Sequence, residues 1–184
     1  MLKCIMISAL SPEKIADLTE VVICDSEAAM EAHKDLFRFS QNAYLPAYET
    51  NDNSAGNFCD AFPTVTRLID TCNLAPLCPS RIHVVAGWEN ILKVAAWTAE
   101  LTEGRDALLF LKNAGIAESD LTPFTGSPVS DLFPYLYYGK RLDVIKKICM
   151  MARKQIESHL KKGGVRADCH MIAEDTPRIF ASSL

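Results

Sequence analysis

The sequence lacks the motifs that most directly identify an enzyme, a metalloprotein or a nucleotide-binding domain. It contains no G-x-x-x-x-G-K-[ST], G-x-G-x-x-G or G-x-S-x-G motif, and none of its cysteines forms a C-x-x-C pair. The helical ligand spacings H-x-x-x-H and E-x-x-H are also missing. The sequence therefore predicts no catalytic residue, no cofactor and no metal ligand.

Long apolar runs and secretion signals are absent too. No stretch approaches the roughly 18 apolar residues of a membrane span, and the first apolar run, before Ser11 and Pro12, is too short for a signal-peptide core. No N-x-S/T glycosylation site occurs. We therefore expect a cytoplasmic or nuclear protein, not secreted and not bound to a membrane, whose seven cysteines are free thiols: Cys4, Cys24, Cys59, Cys72, Cys78, Cys149 and Cys169.

The composition is that of an ordinary globular domain. The chain has 184 residues, of which 49% are hydrophobic and 23% charged, and its net charge is −4. This apolar content is sufficient to form a core, so extensive disorder is not expected. We predict one α-helical domain over residues 1–166 and a packed tail or arm over 167–184.

Helix caps, helix stops and apolar spacing favour an all-α fold. Ser11-Pro12-Glu13 and Asp25-Ser26-Glu27 are typical helix starts, and Pro63 begins another apolar segment. The segment 80–103 is apolar around most of a helical circumference, which is typical of a central helix. Leu142, Ile145, Cys149, Ala152, Ile156 and Leu160 repeat at spacings of three and four. The sequence thus predicts an irregular bundle of about six or seven helices, with a central apolar helix at 80–103 and a basic amphipathic helix at 140–162.

Two segments do not follow this helical pattern. Residues 42–60 are rich in turn formers, which indicates a long loop pinned by aromatic residues such as Tyr44. The tail at 167–184 has no helical period and is compatible with a strand, a packed tail or a partner-binding arm.

Positive charge is concentrated near the end of the chain. Residues 139–166 contain nine basic and two acidic side chains, a net charge of +7, while the rest of the chain carries −11. The basic residues are Lys140, Arg141, Lys146, Lys147, Arg153, Lys154, Lys161, Lys162 and Arg166.

The basic segment has several interpretations. It is compatible with a solvated outer helix face or with packing against the acidic remainder of the chain. It is also compatible with an acidic protein partner, an anionic membrane surface or nucleic acid. Tyr137 and Tyr138, just before the helix, offer stacking surfaces for unpaired bases. All these residues except Arg166 form the predicted binding surface.

Two thiols are weighed as nucleophiles. Cys149 has the cations Lys146, Lys147 and Arg153 as helical neighbours, but it also lies in the apolar seam, where a cysteine is usually inert. Cys169 and His170 are adjacent, and on an extended chain adjacent side chains point to opposite faces. Neither pattern predicts a catalytic dyad.

The absence of a catalytic pattern beside a basic amphipathic helix favours a non-enzymatic protein of interaction or assembly. We expect self-association into a homo-oligomer or docking on a protein partner, as in viral or host-interaction proteins. A nucleic-acid-binding protein, such as a viral nucleoprotein or an RNA-sequestering protein, is the first alternative. An enzyme with a dispersed, thiol-based site is the second.

Overall fold

A mixed β-sheet lies at the centre of the structure, a computed structural model that describes residues 18–37, 43–46, 60–101, 105–173 and 176–184. The strands are β1 (Glu20–Cys24), β2 (Ala43–Pro46), β3 (Arg81–Ala86), β4 (Arg166–Ala173) and β5 (Thr176–Ser182). Their order in the sheet is β2-β1-β3-β4-β5, in which β1, β2, β3 and β4 are parallel and β5 is antiparallel to β4.

Seven α-helices surround this sheet within the described ranges. They are α1 (Glu27–Leu36), α2 (Ala61–Leu74), α3 (Trp88–Ala96), α4 (Arg105–Asn113), α5 (Glu118–Leu121), α6 (Leu132–Tyr138) and α7 (Leu142–His159). Two short 3₁₀ turns, Thr122–Phe124 and Val129–Asp131, lie between α5 and α6. No helix in these parts of the chain is long and apolar enough to cross a membrane.

The prediction of an all-α helical bundle is wrong, because the protein is an α/β protein with a five-stranded sheet. Within the central helix predicted at 80–103, the structure instead places β3, a single glycine and the short helix α3, which ends at Ala96. Apart from His83, the residues from Ile82 to Ala86 form an apolar run because β3 is buried on both faces, as inner parallel strands are. Such a run and a buried helix look alike in sequence.

Two further segments, near the two ends of the chain, form strands of the sheet. Glu20–Cys24, expected in the first helical region, is the inner strand β1, and residues 167–184 contribute almost all of β4 and all of β5. The proposed helix start at Ser11-Pro12-Glu13 lies outside the described residues. So does most of the predicted loop at 42–60, of which the structure describes β2 and Asp60.

Several helices are confirmed where caps and spacing predicted them. Ser26 caps α1 by accepting a hydrogen bond from the Ala29 amide at 3.1 Å, and α2 includes the predicted segment that begins at Pro63. The basic helix is α7, somewhat shorter than predicted, and its seam is buried except for Leu142.

The sheet separates two apolar clusters of unequal size. On one face, α2, α3 and α7 cover side chains such as Ile23, Val84 and Cys169 in the larger cluster. On the other face, a smaller cluster joins Val22, Cys24, Val85 and Ile172 of the sheet to Ala29 and Ala32 of α1, with Tyr44 of β2. Three of the four histidines of the chain, His33, His83 and His170, gather on this face.

Candidate functional site

Three buried histidines meet between α1 and the smaller-cluster face of the sheet. His33 lies on the inner side of α1, beside Ala29 and Ala32. His83 lies in β3 and His170 in β4, and the register pairs His83 with Asp168 and Val85 with His170. The two strand histidines are therefore diagonal neighbours on one face. Their exposed fractions are 0% for His33, 1% for His83 and 0% for His170.

Nitrogen atoms of the three rings converge. His83 Nδ1 lies 3.2 Å from His170 Nε2. One nitrogen from each of His33, His83 and His170 lies within 4.8 Å of the corresponding nitrogen of the other two. No other group of three or more His, Cys, Asp or Glu side chains among the described residues has this arrangement.

The second nitrogen of each ring, its outer nitrogen, faces an oxygen atom. His33 Nδ1 lies 3.2 Å from the Tyr44 hydroxyl, and His170 Nδ1 lies 3.0 Å from Ser182 Oγ. His83 Nε2 is 3.9 Å from a carboxylate oxygen of Glu20, too far for a hydrogen bond. Hydrogen bonds from β2 and β5 thus orient the rings of His33 and His170.

Burial keeps these imidazoles neutral. Loss of hydration, together with the neighbouring His83 and His170, lowers the pKa of His33 to about 3. Desolvation, then the charge of Arg81, lowers the pKa of His83 to about 4. His170 has its pKa lowered to about 3 by burial, by His83 and by Arg81. At neutral pH every ring therefore has one nitrogen lone pair.

Hydrogen bonding within the protein does not satisfy the cluster. His33 Nε2 and His83 Nε2 are buried nitrogens without a hydrogen-bond partner. A buried polar atom left in this state costs about 1–3 kcal/mol, and most such atoms in native structures are paired. The cluster is therefore a place where a bound species would relieve a cost of folding.

A second polar arrangement lies where the carboxyl ends of β1 and β3 meet. Asp25 Oδ2 accepts hydrogen bonds from the Gly87 amide at 2.7 Å and from Asn90 Nδ2 at 2.8 Å. Burial raises the pKa of Asp25, although these hydrogen bonds oppose the shift. With Ser26 and Glu89, these residues line a cavity of about 190 Å³. Parallel α/β sheets commonly bind ligands at this edge, where the order of strands reverses.

A larger cavity of about 690 Å³ adjoins the first, since Glu89 lines both. Lys93 and Glu100 line its polar side, and Lys93 Nζ is paired with Asp60 Oδ2 at 2.5 Å. Both cavities are open, and three of the four charged residues that line them are acidic, namely Asp25, Glu89 and Glu100.

The predicted binding residues lie on α6, on α7 and in the chain on either side of α7. Three of the cations are engaged within the protein: Arg141 pairs with Asp120 and Asp143, Arg153 with Glu157 and Asp168, and Lys162 Nζ donates to the Ala75 carbonyl. Those that the structure leaves on the exposed surface are Lys140, Lys146, Lys147, Lys154 and Lys161.

The two predicted tyrosines differ in their surroundings. Tyr137 packs on Phe133 and Phe180, whereas Tyr138 is 80% exposed. The two tyrosine rings contact each other edge-on at 5.4 Å between centroids, and Tyr137 is 42% exposed.

The thiols of the described chain have raised pKa values where a shift is resolved. Burial raises the pKa of Cys149 to about 12 and the pKa of Cys169 well above its usual range. Burial, with the adjoining Cys78, raises the pKa of Cys72 to about 12. Cys169 belongs to the larger apolar cluster and His170 lies on the opposite face of β4, as the alternation of an extended chain predicted. These environments disfavour thiolate chemistry.

Comparisons with known proteins found no matching family model, curated protein or solved structure.

The histidine cluster predicts an acid-sensitive fold in the metal-free protein. An unfolded histidine has a pKa near 6.5, so unfolding between pH 6.5 and 4 takes up protons that the folded cluster excludes. The contribution of these histidines to the free energy of unfolding is fully present above pH 6.5 and is lost progressively as the pH falls towards 4. Urea unfolding at several pH values should show uptake of more than one proton near pH 5, a slope above about 1.4 kcal/mol per pH unit.

The matched variants for this experiment are His33→Gln and His159→Gln. His33→Gln removes one imidazole of the cluster and should reduce the slope. His159→Gln, which removes an exposed imidazole on α7, should not reduce it in this way. An equal slope for His33→Gln and the unmodified protein would show that the cluster does not cause the acid sensitivity.

Proposed function

We propose that the protein binds one divalent transition-metal ion of the zinc class through His33, His83 and His170. The observation that carries this proposal is the convergence of one nitrogen from each buried ring within 4.8 Å. Neutral imidazole is a preferred ligand for zinc and its neighbours in the first transition row. The sequence predicted no metal ligand, and this proposal replaces that expectation.

The spacing of the nitrogens fits zinc closely on one side of the site. Zn–N bonds of about 2.0–2.1 Å place two nitrogens of a tetrahedral site about 3.3 Å apart. His83 Nδ1 and His170 Nε2 lie at 3.2 Å, close to that spacing. His33 Nε2, buried and without a hydrogen-bond partner, is available as the third ligand after a small movement towards the sheet.

The oxygen atoms around the cluster lie where the hydrogen-bond partners of metal-bound histidines usually lie. Metal-bound histidines usually hydrogen-bond through the other nitrogen to a carboxylate, carbonyl or hydroxyl, which fixes the ring. Tyr44 and Ser182 occupy these places for His33 and His170, and Glu20 lies near the outer nitrogen of His83.

The burial of the site favours a structural or regulatory ion over a hydrolytic one. Three imidazoles leave one tetrahedral position for water, as in catalytic zinc sites. A catalytic site also needs an approach for substrate, and all three rings are at most 1% exposed. The ion in this proposal therefore holds elements together.

Metal titration tests the proposal. After treatment with a chelator, the protein should bind one equivalent of Zn²⁺ in competition with a chromophoric chelator. His170→Gln should weaken this binding by more than about 100-fold, because loss of a ligand costs more than loss of an outer partner. Ser182→Ala, which removes only an outer partner, should weaken it by about 10-fold.

Two controls separate this site from adventitious binding. His159→Gln should bind Zn²⁺ like the unmodified protein, and so should the double variant Cys72→Ser/Cys78→Ser, which removes two adjoining thiols. Zinc binding lost in the thiol variant but kept in His170→Gln would reject the histidine site.

A second proposal keeps the interaction function suggested by the basic helix. On α7, Leu142 and Met150 are 45% and 48% exposed, and Lys146 and Lys154 alternate with them at intervals of four residues. This mixed cationic and apolar stripe suits an acidic protein surface, including the acidic remainder of a second copy. The free thiols among the described cysteines support a reducing compartment for such a complex.

Light scattering with absorbance at 260 and 280 nm tests the second proposal. We expect a self-associated species that Met150→Asp/Lys154→Glu converts to monomer, while Lys112→Glu, on α4, leaves it unchanged. A monomer at all concentrations would contradict self-association, and co-purifying nucleic acid would favour the nucleic-acid alternative.

A further inference from the structure

The helix α1 contributes few fully buried side chains to its contact with the sheet, and Ala28 and Met30 pack there while only partly buried. Its buried residues are Ala29, Ala32 and His33, and its largest aliphatic side chain, Leu36, is 56% exposed. Two alanines bury little apolar surface compared with the leucine, isoleucine and valine side chains that hold α3 and α7. His33 is therefore the largest buried side chain that α1 contributes.

Together with Phe37, whose ring lies 5.1 Å from His83 and 5.5 Å from His170 between centroids, His33 forms the contact between α1 and the centre of the sheet. Its ring lies edge-on to His83 at 4.8 Å and to His170 at 5.9 Å between centroids. Phe37, at the end of α1, stacks on His33 at 4.4 Å. Without an ion, this contact buries a nitrogen of His33 that has no partner.

Metal ligation changes the nature of that contact. The ligand nitrogens lie up to 4.8 Å apart, and a tetrahedral ion needs about 3.3 Å, so ligation draws His33 towards β3 and β4. The ion then joins one helix to two strands by coordination bonds, which are stronger than the packing of two alanines.

We propose that the ion acts as a clamp that fixes α1 on the sheet, so that metal binding and release control whether α1 is docked. This inference rests on the metal-binding function proposed above. Because Ser26, the N-cap residue of α1, lines the cavity beside Asp25, the clamp also fixes one wall of the carboxyl-edge cavity. Loss of metal then loosens the wall without unfolding the larger core on the other face.

Hydrogen exchange with Zn²⁺ as the only added ligand tests the clamp. Mass spectrometry should show exchange of the α1 amides slowed at least 10-fold by one equivalent of Zn²⁺, while the α7 amides change much less. Zinc uptake is measured on the same sample. Zinc uptake with unchanged α1 exchange would overturn the clamp and leave the metal site intact, whereas no uptake would reject the metal site itself.

Two variants on α1 make the comparison specific. His33→Gln keeps His83 and His170, so weak zinc binding persists, but slowing of α1 exchange should disappear. Glu31→Gln, an exposed change on the same helix, should keep the full effect. Unchanged α7 exchange in His33→Gln establishes that the variant is folded, and zinc-dependent protection of α1 in that variant would contradict the clamp.

Discussion

The burial of three neutral imidazoles between one short helix and the sheet is the constraint on which this side of the protein depends. Each ring comes from a different element, and each outer nitrogen faces a further one. Apolar burial by α1 is small here, since its only fully buried residues are Ala29, Ala32 and His33. The opposite face, filled by α2, α3 and α7, has a continuous core and needs no such group.

Sequence patterns predicted the amphipathic helices better than the strands, for a physical reason. The helices α1, α2 and α7 have one buried side and distinct caps or seams, and these signals are local. The inner strands β1 and β3 are buried on both faces, so EVVIC and RIHVVA carry no alternation. The β3 run continues through Gly87 into the apolar helix α3, and strand and helix together imitate one long apolar helix.

The histidine cluster was inaccessible to spacing arguments. His33, His83 and His170 are far apart in sequence, and their contact depends on strand register and on the docking of α1. Correct assignment of β3 and β4 as neighbouring parallel strands would have placed His83 and His170 together. The basic residues, which are conspicuous in sequence, prove to be partly engaged by Asp120, Asp143, Glu157 and Asp168. Counting charges along the sequence finds the basic residues, whereas the histidine cluster exists only because the fold brings distant residues together.

X-ray absorption at the zinc edge tests the central claim most directly, because it reports the atoms bound to the ion. The protein loaded with one equivalent of Zn²⁺ should show imidazole nitrogens at about 2.0–2.1 Å, with the multiple-scattering signature of three rings. A first shell containing sulfur at about 2.3 Å would place the ion on the thiols and contradict the histidine site.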